Sequence, residues 1–438
     1  FGTDPTLHYR FDLSNGFVVT GTSDPREMIE EVLSPSVDYT FTVYQPSTNL
    51  SQVQTGVTSA SGVPTDLGLV FLDTFGGTDT DGDRLPDVGE TALGTDATKA
   101  DTDNDGITDD AEIAQGLDPL DDRGFPTGVI ASLPLMGSAT AVTVQGGTDG
   151  SDGQTAYVAT GDNGLAVIDA SRFDNPVVQG QLDLPGTMTD IAFDRQLALA
   201  TVAAGSDGLH LVDVTDAMNP RLVGTIDAPA DRVTIFDSVA YVASGDSLRG
   251  FDLLTRASVF DAATPSTGGG GTINDVARDG GVLYATTSTG TLTAFDITSV
   301  SPTELGSVAL PNTPGQLVVG DGVAYVAAAT TGNGFMTVDV ANPAAMAVTS
   351  SDPGGPAVPN EAIAPNGSGL AVLIGSLGAQ NVADLMDVSN PADVRDRVLT
   401  LDLPAAPQDV AIAAGIAFIA DGSAGLQVLN YLPFDNQG

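Results

Sequence analysis

Past residue 127 the chain alternates short apolar runs with Gly, Asp and Asn at a steady beat. One run ends in Asp each time: LAVID at Asp169, LHLVD at Asp213, RGFD at Asp252, TAFD at Asp296, MTVD at Asp339 and DLMD at Asp387, with LQVLN closing the series at Asn430. The steps between these ends are 44, 39, 44, 43, 48 and 43 residues. A second run precedes each, from AYVAT at 156 to AFIAD at 417. Before that comes a weaker third: AVTV at 141, DIAF at 190, VTIF at 233, DVAR at 275, QLVV at 316, EAIA at 361 and DVAI at 409. Small and β-branched residues bounded by turn formers predict strands. A fourth run follows most repeats, as in NPVVQGQLDLPG at 175–186, but the last repeat stops at Leu432 without one. GVIASLPLMG at 128–137 carries the missing pattern. Four short strands per repeat predict a seven-bladed β-propeller over 127–438, its last blade closed by strand 128–137.

Residues 1–77 show a different pattern. LHYRFDL, GFVVTGT, DYTFTVYQ, VQTGVTS and LGLVFLDTF read as five strands. Asp24-Pro25-Arg26-Glu27 reads as a capping box opening a short helix ahead of Met28, Ile29, Val32 and Leu33. A small β-sandwich-like domain is expected, with strand edges able to pair with another copy. The fold class is therefore all-β.

Between these parts, residues 78–126 read as a loop-rich spacer. Its second acidic block places Asp101, Asp103, Asp105, Asp109 and Glu112 at positions one, three, five, nine and twelve, with Gly106 at six and the Ile107 carbonyl at seven. Alternate carboxylates in a tight loop suit a hard cation that takes six to eight oxygens, which points to calcium. The first block repeats the spacing 22 residues earlier with Asp79, Asp81, Asp83, the Leu85 carbonyl, Asp87 and Glu90, but carries Arg84 at position six. Asp96 in the linking LGTD lies within reach of a neighbouring ion. A solvated acidic linker is the plain alternative.

Tandem DxDxDGxxDxxE blocks on short GTD spacers resemble thrombospondin type-3 calcium repeats over about residues 78–122. That resemblance implies structural calcium ions that replace a hydrophobic core and stiffen the spacer. GLAVIDAS and GLHLVDVTDAMNP resemble the LVIVD-type repeat of propellers in bacterial and archaeal surface proteins, over about residues 127–432. This implies an extracellular propeller and no single activity.

Charge narrows the functions further. Fifty-seven acids, fifty of them Asp, meet 14 bases, of which Lys99 is the one Lys, for a net charge of −43. Such a field excludes nucleic acid and anionic membrane surfaces as partners. Zero Cys excludes disulfides and thiol chemistry, and two distant His, His8 and His210, leave little for a His-based metal site or a Ser–His relay. No apolar run reaches the about 18 residues of a membrane helix. The chain starts at Phe1 rather than Met, which reads as a mature or excised fragment. The strand-ending Asp of each repeat is read as a turn-fixing residue, and His210 as a packing residue. Asn49 and Asn366 head glycosylation sequons.

The resulting expectation is a non-enzymatic, calcium-binding, secreted structural protein that self-associates into a cell-surface filament. One alternative is an adhesin whose propeller face binds glycan or a surface protein. Another is an enzyme using paired carboxylates in the propeller channel.

Overall fold

The computed structural model describes residues 7–23, 28–46, 48–103, 108–115, 119–120, 127–145, 154–263, 271–298, 302–328, 334–350, 360–377, 380–393, 396–413 and 415–434. The chain forms two compact units that divide between residues 124 and 125.

The first unit is built on one antiparallel sheet of five strands: β1 (His8–Leu13), β2 (Val18–Thr22), β3 (Asp38–Gln45), β4 (Leu50–Val57) and β5 (Thr74–Phe75), in the order β2-β1-β3-β4-β5. Period-two alternation puts Tyr9, Phe11, Leu13, Tyr39, Phe41 and Val43 on one buried face, where Phe11 stacks on Phe41 at 4.4 Å. Among the described residues no second sheet covers this face, so the sandwich expectation is corrected. The cover comes from irregular chain carrying Ile29, Leu33 and Val37, and from Leu67, Val70 and Leu72. The same demand overrides two local predictions. Met28–Leu33 adopts no helix, and the run 67–75 keeps only Thr74–Phe75 as strand. The proposed capping residues 24–27 lie outside the described residues. Tyr9 donates its hydroxyl to Glu31, which helps hold the covering segment in place.

Two short helices follow, α1 (Asp87–Leu93) and α2 (Asp109–Gln115). α1 ends at Gly94, whose φ of 95° is left-handed and whose N–H returns to the Glu90 carbonyl. The acidic stretch packs on the first sheet rather than standing apart from it: Leu85 and Ala92 cluster with Tyr44 of β3. Gly89 fits closely there, since a Cβ would lie 3.1 Å from the Tyr44 ring and would require it to shift by a few tenths of an ångström.

The second unit contains, among the described residues, seven antiparallel sheets of four strands. Six are consecutive in sequence. The seventh joins Asp409–Ala413, Ile416–Ala420 and Leu426–Asn430 to β6 (Gly128–Leu133), the strand expected to complete it. Successive sheets pack face to face, and each interface from the first pair to the sixth has its own apolar cluster. The second strand of each sheet is therefore covered on both faces. This explains its near-continuous apolar sequence, as in Leu199–Ala203, where every residue is buried. The fourth strand of every sheet pairs with the third through a register shift. Such bulges bend an outer strand and spoil its free edge.

Candidate functional site

The two acidic blocks fold alike. Thr80 donates its N–H and its hydroxyl to Asp87, both at 2.9 Å. Twenty-two residues on, Thr102 makes the same pair of bonds to Asp109, at 2.9 and 2.7 Å. The Asp87 N–H meets the Thr78 carbonyl at 2.8 Å, as the Asp109 N–H meets Ala100 at 3.0 Å. Position nine thus ties each loop to the start of its helix.

Inside the first loop, carboxylate oxygens of Asp79, Asp81 and Asp83 lie within 4.8 Å of one another. Loop N–H groups hold all three, the Asp83 N–H donating to Asp81 at 3.3 Å. Gly82 and Arg84 donate to Asp79 at 2.8 and 3.0 Å, and Leu85 donates to Asp83 at 2.7 Å. The second block reaches across, with the Asp110 N–H donating to Asp83 at 3.2 Å. Burial pushes the Asp83 carboxyl up to about 7 against the pull of the Leu85 N–H, helped by the charges of Asp110 and Asp81. The positive φ of Arg84, 86°, shows how this loop makes its turn without glycine at position six.

Glu90 is the unusual group. It is fully buried at 0 % exposure, and neither carboxylate oxygen has a hydrogen-bond partner. Burial, then the charges of Asp81, Asp83, Asp109 and Asp87, raise its pKa to about 8. Asp81 likewise has one buried oxygen without a partner. Orphaned buried carboxylate oxygens facing other carboxylates are costly unless a cation or a proton satisfies them. The donor set is all oxygen, which suits calcium.

The remaining expected ligands fall as follows. Glu112 and Asp109 are fully buried, and burial raises the Asp109 pKa, helped by the charges of Asp101 and Asp103. Asp96 accepts from the Thr98 hydroxyl at 2.7 Å and faces Lys99 at 3.8 Å; the Thr98 bonds hold its carboxyl below its ordinary value. Leu85 offers its backbone while its side chain packs in the Tyr44 cluster. Asp105 and Ile107 lie outside the described residues.

A second polar constellation escaped the sequence reading. Asp190, Asp275 and Asp409 stand on the first strands of the second, fourth and seventh sheets, and each binds the N–H of the residue after it. Each also reaches into the next sheet: Asp190 to the Val233 N–H at 2.8 Å, Asp275 to Leu317 at 2.7 Å, Asp409 to Val142 at 2.8 Å. Gln316 plays the same part toward Ile363 at 2.9 Å and donates to Asp409 at 2.6 Å. Arg232, from the third sheet, lies 3.7 Å from Asp275. Burial raises all three carboxyls, those of Asp275 and Asp409 to about 7. Burial opposes the Arg232 charge, but Asp275, Asp190 and Asp409 outweigh it and leave the guanidinium pKa raised. Charges from four sheets feel one another, so these first strands converge. DIAF, DVAR, QLVV and DVAI had carried the signal as a polar residue opening each weak strand.

The strand-ending residues do fix turns. Asp169, Asp213, Asp252, Asp296, Asp339, Asp387 and Asn430 each accept a backbone N–H two or three residues on, at 2.7–3.1 Å. His210 is buried and bonds the Pro185 carbonyl at 2.8 Å and Thr225 at 3.0 Å, a structural role.

Comparison with known proteins supports the repeat and the fold. The LVIVD repeat family matches residues 151–183 and 315–351, in the first and fifth sheets, both within the span of the expected resemblance. The WD40 β-propeller domain of Doa1 is similar at 13% identity and a TM-score of 0.54, covering 70% of this chain and 97% of that one. The computationally designed Ika8 protein is similar at 10% identity and a TM-score of 0.50, covering 69% of this chain and all of that one. No curated protein sequence matches. At these identities the likeness shows a propeller-like fold and nothing about activity.

Proposed function

We propose that the chain is a non-enzymatic, calcium-stabilised structural protein of the cell exterior, whose copies join into a surface filament. Glu90 carries the calcium reading: a fully buried carboxylate with no donor, set among Asp81, Asp83 and Asp109. Asp79, Asp81, Asp83, Glu90 and the Leu85 carbonyl would hold one ion, and Asp101, Asp103, Asp109 and Glu112 belong to a second loop of the same kind. Asp87 and Asp109 brace the two loops, as in the thrombospondin type-3-like arrangement their spacing suggests. A bound cation would offset the mutual repulsion of these carboxylates, making the segment's order depend on calcium.

The second unit is read as a closed seven-bladed propeller. Support comes from β6 completing the last sheet and from Asp409 bonding the first sheet. The inner carboxylates are engaged by backbone N–H groups, which favours a structural ring over a catalytic pair. Calorimetry in millimolar calcium and in chelator tests the metal reading: the first unit should melt higher with calcium. An unchanged melting curve sinks that reading, while monodisperse monomer in both buffers, by cryo-imaging, sinks the filament.

A further inference from the structure

The edges of the first sheet differ from every outer edge of the second unit. All seven outer strands there pair through a register shift, whereas β1–β2 and β3–β4 pair in unbroken register. In a chain of net charge −43, both β2 (VVTGT) and β4 (LSQVQTGV) lack any charged residue and any proline. Natural sheet edges are usually blunted by just these devices. On β4 the short β5 pairs only with Leu50 and Ser51, so the outer side of Gln52–Val57 has no strand partner among the described residues. Outside β2, likewise, no described strand is paired.

We infer that β2 of one copy adds to the open edge of β4 in a second copy, so that the sheet continues from copy to copy. The inference rests on the filament reading and gives it a contact. Strand direction supports it. β1 and β4 run one way, β2 and β3 the other, so two copies in the same orientation bring β2 antiparallel to β4. Side-chain parity then fixes the register. Val18, Thr20 and Thr22 are exposed on the face opposite the aromatic core, as are Val53, Thr55 and Val57. With Leu50 and Ser51 taken by β5, full overlap pairs Val18 with Val57, Thr20 with Thr55 and Thr22 with Val53. These are β-branched pairs of the kind that stabilise cross-strand contacts. A groove of about 420 Å³ beside Ser51, Gln52 and Val53, walled by Gly76, Gly77, Thr78, Val88 and the acidic Asp87, lies where the added strand ends. The uncharged edges also spare two acidic chains direct repulsion at the seam. Because the two edges differ, the contact is head-to-tail, and repetition without closure gives an open filament.

The chain has no Cys, so a paired substitution reports cleanly. Within one copy Thr20 and Thr55 sit three strand spacings apart, about 14 Å, beyond disulfide reach. Thr20→Cys with Thr55→Cys should therefore give, on oxidation in millimolar calcium, a ladder of multimers that reductant collapses, while either single variant stops at dimers. Thr20→Asp with Thr55→Asp should disperse the filaments with an unchanged circular dichroism spectrum, and Thr20→Lys with Thr55→Asp should restore them. Wild-type filaments without a disulfide ladder, or double-Asp chains that still polymerise, overturn the seam and leave the filament reading standing. Wild-type chains that stay monomeric at every concentration overturn both.

Discussion

Asp409→Asn tests the converging first-strand carboxylates through their pH dependence. The folded carboxyl, raised to about 7 by burial and by Asp190 and Asp275, holds its proton where an unfolded Asp, near 3.8, has lost it. Between those values the folded state binds more protons, so stability falls as pH rises and levels off above about 7. At about 1.4 kcal/mol per pKa unit, Asp409 alone costs the wild type about 2–3 kcal/mol between pH 5 and pH 8. The asparagine keeps an oxygen for the Val142 N–H and cannot ionise, so its loss over that range should be smaller by this amount. For a unit of some 300 residues that is about 4 °C in melting temperature. Calorimetry at pH 5 and pH 8, in saturating calcium to hold the acidic loops constant, reads the difference. Arg232, Asp190, Asp275 and Gln316 face the same group and are left intact. Equal melting shifts in wild type and variant would refute the reasoning, since the carboxylate would then titrate as it does in water. Asp409→Ala supplies the control, because it strands the Val142 N–H and should cost about 1–3 kcal/mol at either pH.

Other substitutions probe the remaining features. Glu90→Gln should weaken calcium binding at least tenfold by titration calorimetry while leaving the first unit as stable as wild type, or more so, in chelator, because the orphaned charge is gone. Thr102→Val removes a hydroxyl bonded to Asp109 at 2.7 Å and should cost about 1 kcal/mol; Thr80→Val should match it. Gly164→Ala, at φ +82° with the new Cβ 2.1 Å from the Leu182 carbonyl, should fold poorly. Gly245→Ala, at φ +57° with nothing within 4 Å, should cost only the left-handed penalty of about 1–2 kcal/mol. Phe335→Ala, fully buried between the fifth and sixth sheets, should cost about 3–5 kcal/mol by urea unfolding.

What the letters revealed depended on whether the physics was local. The turn residues from Asp169 to Asn430 act within three positions of themselves, so their role was readable from repetition. Thr80 and Thr102 sit at fixed offsets in visible repeats, yet their bonds to Asp87 and Asp109 are not legible there, because a neutral hydroxyl carries no charge pattern that points to a partner. Asp190, Asp275 and Asp409 were printed at the head of their strands, but their partners belong to other sheets and cannot be paired from a single sequence. Met28–Leu33 failed for the opposite reason. Its helix signals were genuine and local, and the bare aromatic face of β1 and β3 outweighed them by recruiting Ile29 and Leu33 as cover. Glu90 was expected at position twelve, whereas its complete burial followed only from the way Leu85 and Ala92 settle on Tyr44.

The strand β6 has a consequence for synthesis. Its ladder with Leu426–Asn430 includes the bond between Ser132 and Gln427, residues 295 apart in sequence. Closing a loop of that length carries an entropy cost of about 5 kcal/mol beyond a constant, and nothing in the intervening sheets can make the contact early. β6 leaves the ribosome among the first elements of its unit and must wait for the last. A chain cut short before Leu426 would leave β6 and the final sheet with bare edges, open to proteolysis or misassociation. The ladder thus makes β6 wait: it stays unpaired until Leu426–Asn430 has been made.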